Sequence, residues 1–398
     1  MKFFHLSDLH IGKQLHHYNL KEDQRYILQE IIRYAEELHP DAIVIAGDIY
    51  DKSVPSAEAV TIFDEFLTCI SEIVPKIPVL IISGNHDSSE RLEYASEILK
   101  RQEIYLSGEV PKTPEEYLKK VILKDPYGTV NFYLLPFMKP SYVRKVFAGE
   151  EPLSYSEAIG KIIDREKIDF KNERNVLISH QFYIGKSVPE TCDSETISVG
   201  GLDQVSAEIL RGFEYVALGH IHGAQDVALK DADESMAEER RNPRIRYCGT
   251  PLKYSVSEVK QEKTLTIVEL FEKTEEVEVV TVPLHPLRDV KKKRGNLQEI
   301  LQNATREERE DYISVTLTDE IEPYKPKEQL QQVYEHILEI NVDNTRTRLQ
   351  LADFDSHMVL KDPMTNFEEF YQEIQGKELS EKEREIVKHV ITEIGEEL

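Results

Sequence analysis

The fold of this chain is decided by residues 78–87, which read PVLIISGNHD. The branched apolar residues of this stretch are typical of a strand that is buried inside a sheet. Gly84 permits a sharp turn directly after the strand, so the side chains of residues 85–87 should stand at its carboxyl end. Open α/β sheets place their chemistry at that end of their strands. The stretch therefore predicts a buried strand that ends in a reactive turn.

The same pattern, an apolar strand followed by residues that can bind a metal, occurs four more times. These strands are predicted at residues 2–6, 42–46, 175–179 and 215–219, and the polar residues that follow them are Asp8, His10, Asp48, His180, His220 and His222. Three amphipathic helices are predicted between the first strands, at residues 22–38, 56–73 and 89–101. Alternation of strands and helices indicates a largely parallel sheet with right-handed crossovers. The chain is therefore predicted to be an α/β protein.

The predicted large domain also contains a second sheet and several polar segments. A second sheet should begin at residues 132–136, after a polar region at 111–128 that reads as loop and short helix. The charged, glycine-free stretch 230–241 is predicted to be a solvated excursion. Further strands are predicted at residues 246–251, 264–270 and 277–282.

Two prolines, Pro283 and Pro286, mark a boundary after the large domain. We expect a large domain at residues 1–282, a small α+β domain at 283–361 and a helical tail at 362–398. The small domain is predicted from the segments 297–301, 312–317 and 330–340. The tail is predicted to form two helices. Apolar residues recur at helical spacing in the first, which Gly376 ends: Phe367, Phe370, Tyr371 and Ile374. A capping box at Ser380 and Glu383 begins the second, whose apolar stripe is Ile386, Val387, Val390, Ile391 and Ile394. Helices this short cannot sustain a core alone, so they should dock on this chain or on a partner.

Composition excludes several classes of protein. The chain of 398 residues has no apolar run long enough to span a membrane and no secretory signal, which predicts a cytoplasmic protein. Cys69, Cys192 and Cys248 are far apart and lack C-x-x-C spacing, so neither a disulfide framework nor a thiolate zinc site is indicated. The net charge of -25 argues against a broad electrostatic grip on nucleic acid. A polyanionic substrate would need metal ions, a local basic patch or a partner.

The polar residues at the strand ends together suggest a metal centre. Seven oxygen and nitrogen donors are about what two divalent ions need when one carboxylate bridges them. A mixture of imidazole and carboxylate favours Mn, Fe or Zn over Ca, and the absence of thiolates argues against a structural zinc site. Any one of the histidines alone would more often be a core or surface residue, so the prediction depends on the recurrence. The seven donors are Asp8, His10, Asp48, Asn85, His180, His220 and His222.

Five short blocks resemble, in order, the signature blocks of the calcineurin-like metallophosphoesterase superfamily. They are Asp8-x-His10, Gly47-Asp48-x-x-Asp51, Gly84-Asn85-His86-Asp87, His180 and Gly219-His220-x-His222. Within that superfamily the chain is similar to bacterial nuclease subunits related to the double-strand-break repair nucleases of archaea and eukaryotes. That narrower likeness rests on residues 7–12, 217–222 and 247–251, with the small domain and the tail. It implies a two-sheet metallophosphoesterase sandwich flanked by helices, a small capping domain and a partner-binding tail.

The resemblance also implies roles for individual residues. One ion would be held by Asp8, His10, Asp48 and His222, and the other by Asp48, Asn85, His180 and His220. His86 would be catalytic, as proton donor to the leaving-group oxygen or as its electrostatic stabiliser. Asp51, where some archaeal relatives have a histidine, would orient His86 and favour its protonated form. Two other roles stay open: Asp51 as the cap of the next helix, and Asp87 as support for the turn.

The leading hypothesis is a Mn-dependent DNA double-strand exonuclease and single-strand endonuclease that acts in DNA repair and recombination. The resemblance implies a coiled-coil ABC ATPase as partner, docked on residues 367–374 and 386–394. It also implies DNA beside the basic run 291–294, for which a solvated surface is the alternative, and a homodimer within a heterotetramer. The dimer would form through the helices at 56–73 and 89–101, unless these simply cover the sheet. A small-molecule phosphodiesterase or phosphatase and a DNA-end-binding scaffold remain as alternative functions.

Overall fold

The structure is a computed structural model that describes residues 1–147, 153–195, 203–230, 242–273, 275–321, 323–348, 364, 367–368, 370–372 and 377–387. The predicted excursion at 231–241 lies outside the described residues, as do Ile374, Gly376, Val390, Ile391 and Ile394 of the predicted tail helices. Within the described part of the chain, no helix combines the length and the apolar character that a membrane span requires.

The described residues form strands and helices that alternate in the first part of the chain, whereas the strands from β9 to β17 follow one another without an α-helix. In chain order the strands are β1 (Lys2–Leu6), β2 (Gln14–Leu15), β3 (Tyr18–Asn19), β4 (Ala42–Ala46), β5 (Val79–Ile82), β6 (Ile104–Ser107), β7 (Lys119–Asp125), β8 (Gly128–Leu135), β9 (Arg174–His180), β10 (Phe182–Ile184), β11 (Gln204–Ser206), β12 (Tyr215–Gly219), β13 (Gln225–Asp226), β14 (Arg244–Tyr247), β15 (Thr264–Glu269), β16 (Glu278–Pro283), β17 (Val290–Gly295), β18 (Tyr312–Leu317) and β19 (His336–Val342). The helices are α1 (Lys21–Leu38), α2 (Ala57–Glu72), α3 (Ser89–Leu92), α4 (Ser96–Leu99), α5 (Tyr155–Arg165), α6 (Leu297–Gln302) and α7 (Pro326–Leu330).

The first large sheet has six strands in the order β16-β15-β1-β4-β5-β6. Strands β1, β4, β5 and β6 are parallel to one another, β15 pairs antiparallel with β1, and β16 pairs antiparallel with β15. Helices α1 and α2 make the crossovers between the first three parallel strands, as expected for βαβ connections. Ala46 at the end of β4 pairs with Ile82 at the end of β5. The carboxyl ends of these strands therefore share one edge of the sheet.

The second large sheet also has six strands, in the order β13-β14-β12-β9-β8-β7. Its four central strands are parallel, whereas β13 and β7 are antiparallel to their neighbours. The register places Gly219 of β12 opposite His180 of β9. The last residue of β9 and the first residue after β12 are therefore neighbours.

Three apolar layers hold this sandwich together. One lies between the two sheets and includes Phe3, Phe132 and Tyr215, whose rings pack edge to face. The second lies between the outer face of the first sheet and helices α1 and α2, and the third between the outer face of the second sheet and α5. Strands buried on both faces read as continuous apolar runs, which is why the sequence predicted them well. The predicted two-sheet sandwich flanked by helices is confirmed.

Three predicted segments differ from the structure. The strand expected at 246–251 begins earlier and ends at Tyr247, because β14 spans Arg244–Tyr247. The single helix expected at 89–101 is interrupted, because Ala95 adopts a left-handed conformation with φ 61° and separates α3 from α4. The polar region at 111–128 contains β7, an edge strand that pairs antiparallel with β8. Its lysines face solvent while Val121 is buried. An edge strand that is mostly exposed has a polar sequence, and such a sequence is easily taken for a loop.

The described chain divides into two compact units. The first consists of Met1–Lys293, Ala304–Val315 and Gln331–Glu339, and the second of Arg294–Asn303, Thr316–Leu330 and Ile340–Leu398. Strands β17, β18 and β19 form a three-stranded sheet with β18 in the middle, and α6 and α7 accompany it. The α+β character expected after Pro283 is therefore present. The predicted domain boundaries themselves stay a prediction.

The basic run at 291–294 lies on β17, and acidic residues neutralise much of it. Lys293 Nζ lies 2.7 Å from a Glu308 carboxylate oxygen, and Lys291 Nζ lies 2.8 Å from Asp311. Arg294 pairs with Asp343. The run is therefore less available to a phosphate backbone than the sequence suggested.

Candidate metal centre

The seven predicted donors meet at the shared carboxyl edge of the two sheets. Asp8, His10, Asp48 and Asn85 come from loops after strands of the first sheet, while the three histidines come from the second sheet. All except the half-buried Asn85 are buried. Buried polar groups are expensive unless they have partners, so their convergence points to a ligand.

The backbone at this edge is strained. Among the non-glycine residues with positive φ are Asp8 at 52°, His10 at 42°, Asp48 at 50° and His220 at 103°. Such conformations cost of order 1–3 kcal/mol each and persist where the surroundings impose them, often at functional sites. Four of the seven predicted donors therefore have a backbone that is held for something other than stability.

Glycines allow the strand ends to approach closely. A Cβ atom on Gly84 would lie 2.1 Å from Asp48 Oδ1, and one on Gly47 would lie 2.3 Å from His180 Nδ1. Both contacts are far shorter than real Cβ atoms allow, so any other residue would push the donors apart. The glycine in the stretch 78–87 thus serves close packing as well as the turn.

One set of donors consists of Asp8, His10 and His222, whose ligand atoms lie within 4.8 Å of one another. The Nε2 atoms of His10 and His222 are 3.1 Å apart. Two nitrogen ligands that each lie about 2.1 Å from one ion are about 3.0–3.4 Å apart, so this spacing suits a shared metal. Asp48 Oδ2 lies 3.7 Å from His10 Nε2 and is within reach of the same ion.

A second set surrounds Asn85. Its Oδ1 atom is 3.0 Å from His180 Nε2 and 3.0 Å from His220 Nδ1. Asp48 Oδ2 lies 3.4 Å from His180 Nε2, and Asp8, Asp48 and His180 form another group of converging donors. Asp48 therefore approaches histidines of both sets, as a bridging carboxylate must.

Hydrogen bonds identify which nitrogen of two histidines faces the cluster. A carbonyl oxygen only accepts, so His180 Nδ1 donates its proton to the Ala46 carbonyl 2.7 Å away. The His222 Nδ1 atom likewise faces the Ser194 hydroxyl at 2.7 Å. In both rings the Nε2 atom is the one that faces the other donors, which is the arrangement that metal-binding histidines adopt.

The electrostatics of the cluster also favour cations. Burial lowers the pKa of His220 to about 3 and that of His10 well below its usual value, so both rings are neutral near pH 7. Burial alone would raise the pKa of Asp48, but His180 and other neighbouring histidines lower it, and the carboxyl is ionised. Burial alone would lower the pKa of His180, but Asp48 and Asp8 raise it to about 9, so an ion bound by His180 would have to displace a proton.

The donor set fits two divalent ions. It contains two carboxylates, one amide oxygen and four imidazoles, with no thiolate among the seven. His10 Nδ1 is also buried without a hydrogen-bond partner in the described chain. Oxygen and imidazole donors together suit Mn, Fe or Zn better than Ca.

His86 lies beside the cluster on a more open side. Its ring centroid is 4.9 Å from that of His10, and its backbone N–H donates to Asp48 Oδ1 at 2.8 Å. His86 Nδ1 lies 2.9 Å from the Asp51 carbonyl oxygen. A cavity of about 570 Å³ opens at this point and is lined by Asp51, Lys52, Ser53, Val54, Asn85 and His86. A substrate can therefore reach His86 from solvent.

Asp51 contacts His86 through its main chain, whereas its carboxylate pairs with Lys13 at 2.8 Å. The alternative that Asp51 caps the next helix is wrong, because Ser56 caps α2 by accepting a hydrogen bond from the backbone of Ala59. A catalytic role for Asp51 stays a prediction.

Asp87 supports the turn, as expected. Its carboxylate accepts hydrogen bonds from the backbone N–H groups of Gly84, Ile49 and Tyr50 at 2.9–3.0 Å. These contacts join the loop after β5 to the loop after β4, and so hold Asn85 against Asp48.

The sequence did not reveal the residues that surround His222. Ser194, Glu195 and Glu258 all contact its ring or its backbone, and Lys263 pairs with Glu258. These residues lie 27 to 41 positions from His222, Glu258 on the 3-10 helix Val256–Lys260 and the others on loops, with no recognisable spacing. The one sequence signal for these residues is that Glu258 and Lys263, which pair, lie shortly before the apolar strand β15.

Two known protein families match separate parts of the chain. Residues 1–224 match the calcineurin-like phosphoesterase family. Residues 283–375 match the C-terminal domain described for the type 5 capsule protein repressor.

Two curated relatives span nearly the whole chain. The SbcD subunit of the SbcCD nuclease of Staphylococcus epidermidis is 31% identical over 399 residues, which cover 98% of each chain. The SbcD subunit of the SbcCD nuclease of Staphylococcus saprophyticus is 27% identical over 400 residues, which cover 100% of this chain and 99% of the relative. Among solved structures, GAP50, the anchor in the inner membrane complex of Plasmodium, matches with a TM-score of 0.39 and 13% identity, over 73% of this chain and 90% of that one.

Proposed function

Because the chain belongs to the calcineurin-like phosphoesterase family, and within it to the SbcD nucleases, we propose that it is a two-metal DNA nuclease. It is a metal-dependent phosphodiesterase that binds divalent ions. The finer proposal is a Mn-dependent double-strand exonuclease and single-strand endonuclease that acts in DNA repair and recombination in the cytoplasm.

The observation that carries this proposal is the convergence of Asp8, His10, Asp48, Asn85, His180, His220 and His222 at one edge of the sandwich. In the proposed arrangement Asp8, His10, Asp48 and His222 hold one ion, and Asp48, Asn85, His180 and His220 hold the other. The 3.1 Å spacing of the His10 and His222 nitrogens supports the first site. The two 3.0 Å contacts of Asn85 support the second.

When bound by these residues, two divalent ions would neutralise charge on the phosphodiester and activate water as the nucleophile. The protein contributes the position of each group. Asp48 and His86 are linked, because the His86 backbone N–H donates to Asp48 Oδ1. The donors and the catalytic imidazole therefore keep a fixed relation to each other.

His86 is proposed to protonate the leaving-group oxygen. The Asp51 carbonyl can only accept, so the Nδ1 atom of His86 carries a proton and donates it to that oxygen. Its Nε2 atom is the one that can take up a proton and deliver it to the substrate. General acid catalysis of this kind contributes about 100- to 10,000-fold.

The proposed macromolecular partner is an SbcC-type coiled-coil ABC ATPase, as the name SbcCD of the relatives' nuclease suggests. We place its docking at residues 367–374 and 386–394. In the described part of that region, Phe370 and Ile386 are exposed apolar residues. The Ser380 and Glu383 side chains form the predicted capping box that begins the second helix of the tail. A homodimer of this chain within a heterotetramer also remains part of the proposal.

DNA binding by a chain with a net charge of -25 needs local compensation. The bound ions would supply part of it, and the ATPase partner the rest. The internal ion pairs of Lys291, Lys293 and Arg294 make the basic run a weaker candidate than the sequence suggested.

The test is release of nucleotides from double-stranded DNA in Mn²⁺ by the wild type and by His86→Ala, with a chromogenic phosphodiester assayed in parallel. We expect cleavage of DNA by the wild type, and about 100-fold slower cleavage with retained DNA binding in the variant. Activity on the small ester without any DNA cleavage would instead favour a small-molecule phosphodiesterase. DNA binding without any hydrolysis would favour a scaffold.

A further inference from the structure

A chain of polar side chains lies behind His222, on the side of the ring away from His10; it consists of the half-buried Ser194 and the buried Glu258 and Lys263. Ser194 Oγ is 2.7 Å from His222 Nδ1 and 2.6 Å from Glu258 Oε1. The same Glu258 oxygen lies 3.8 Å from His222 Nδ1. Glu258 is fully buried, although glutamate is seldom buried without a partner.

The direction of these hydrogen bonds follows from the chemistry of the groups. An ionised carboxylate only accepts, so Ser194 donates its hydroxyl proton to Glu258. The Ser194 oxygen then accepts the proton of His222 Nδ1. The Nε2 atom of His222 keeps its lone pair, and this atom faces His10 at 3.1 Å.

Lys263 balances the charge of Glu258. Its Nζ atom is 2.6 Å from Glu258 Oε2, and it also donates to the His222 carbonyl at 3.0 Å and to Thr250 Oγ1 at 2.6 Å. The other carboxylate oxygen, Oε1, accepts from Ser194 Oγ at 2.6 Å and from the backbone N–H of Tyr254 at 3.1 Å. Both oxygens of the carboxylate therefore have donors, and one of these donors is a cation.

We propose that Glu258, acting through Ser194, is a positioning residue for His222. It fixes the ring orientation, keeps the proton on Nδ1 and strengthens Nε2 as a metal donor. Partners of this kind typically affect metal affinity by about 10- to 100-fold. The inference rests on the proposed role of His222 as a ligand, and it adds residues that hold this ligand in place.

The contrast with His180 makes the inference specific to one ion. The Nδ1 atom of His180 donates to a neutral carbonyl, that of Ala46, instead of a chain that ends on a carboxylate. Loss of the Glu258 charge should therefore weaken the ion at His222 and leave the ion at His180 and Asn85 in place. A merely structural role of Glu258 would affect both ions or neither.

The experiment is a Mn²⁺ titration of the full chain, followed by electron paramagnetic resonance, for the wild type, Glu258→Gln and Ser194→Ala. The matched control is Asp125→Asn, because the Asp125 side chain is 1% exposed and also pairs with a buried cation, Arg174, which begins β9 and so lies at the end of that strand opposite the donors. Thermal melting without metal identifies any variant that has lost its fold.

We expect the wild type to bind two ions and to give the spectrum of a coupled pair. Glu258→Gln and Ser194→Ala should bind one ion with unchanged affinity and the other about 10- to 100-fold more weakly, so that a single-ion spectrum appears at intermediate Mn²⁺. The control should keep the wild-type titration. Two wild-type affinities in folded Ser194→Ala and Glu258→Gln would overturn the inference.

The readout does not depend on DNA. A wild type that binds two ions but does not cleave DNA would contradict the proposed nuclease, yet the effect of Glu258→Gln on metal binding could still be measured. The two proposals can therefore fail separately.

Discussion

The two ends of the sandwich handle buried charge in opposite ways. Where the strands begin, Asp125 accepts two hydrogen bonds from Arg174 and pairs with the amine of Met1, and the guanidinium also donates to the Phe271 carbonyl. Where the strands end, carboxylates and imidazole nitrogens face one another, and Asp8 and Asp48 have a strained backbone. The first arrangement is complete by itself, because its one carboxylate has two cationic partners. The second is complete only with added cations.

This difference indicates that the end with Asp125 and Arg174 serves stability and that the end with the metal donors serves function. A buried ion pair with all its hydrogen bonds made resists disruption, because removal of one partner leaves an uncompensated charge. A cluster of donors without cations gains little from its own contacts. Substitutions at the two ends should therefore separate activity from stability.

The largest effect is expected at the metal end, for Asp48→Ala. This substitution removes the carboxylate that approaches both donor sets, and loss of several kcal/mol of transition-state stabilisation corresponds to about 1,000-fold in rate. Nuclease assays in Mn²⁺ measure the loss, and thermal melting without metal should show a folded protein. A variant with activity within tenfold of the wild type would remove Asp48 from the site.

A stability effect of similar size is expected at the other end, for Arg174→Met. It leaves the buried Asp125 carboxylate with the Met1 amine as its remaining ion-pair partner, and broken buried pairs cost about 3–5 kcal/mol. We expect about 3 kcal/mol lower stability in urea unfolding, with kcat unchanged at a temperature where the variant is folded. Unchanged stability with reduced kcat would reverse the assignment of the two ends.

A smaller effect is expected for His86→Ala, which separates the proposed acid from the proposed metal ligands. We expect about 100-fold lower kcat, at the low end of the range for general acid catalysis, with both Mn²⁺ affinities retained. Calorimetric titration with Mn²⁺ checks the second part. Loss of an ion together with activity would make His86 a ligand instead of an acid.

The smallest effect concerns pH and the Asp125 network. Burial alone would raise the pKa of Asp125, but Arg174 and the Met1 amine lower it to about 2 from its usual 3.8. A lowered pKa stabilises the fold above pH 3.8, and this contribution is lost as the pH falls through 2. Melting curves between pH 5 and about pH 2 should therefore fall less steeply for Asp125→Asn. Parallel curves for both proteins would show that the network does not titrate in this way.

The sequence predicted much of the sandwich because its central strands are buried on both faces. Continuous apolar runs such as residues 79–82 and 215–219 give an unambiguous signal, and each is followed by a metal-binding type of residue. Edge strand β7 gave no such signal, since its apolar run, Val121 to Leu123, is short and has lysines on both sides. The break at Ala95 depends on local backbone conformation that no periodicity reports.

The candidate site could be predicted as a set of residues, but its supporting contacts could not. The carboxyl ends of parallel strands lie at one edge of a sheet, so the sequence alone predicted that Asp8, Asp48 and Asn85 lie close together. The Ser194 and Glu258 contacts depend on the paths of two loops, and no chain spacing encodes them. The sequence likewise gave no sign that the main chain of Asp51, and not its carboxylate, contacts His86.

The most direct test of the account is anomalous diffraction from crystals of the full chain grown with Mn²⁺. The account predicts two peaks per chain, one beside Asp8, His10 and His222 and the other beside Asn85, His180 and His220, with Asp48 in contact with both. A single peak at this edge, or peaks that none of the seven donors contacts, would contradict it.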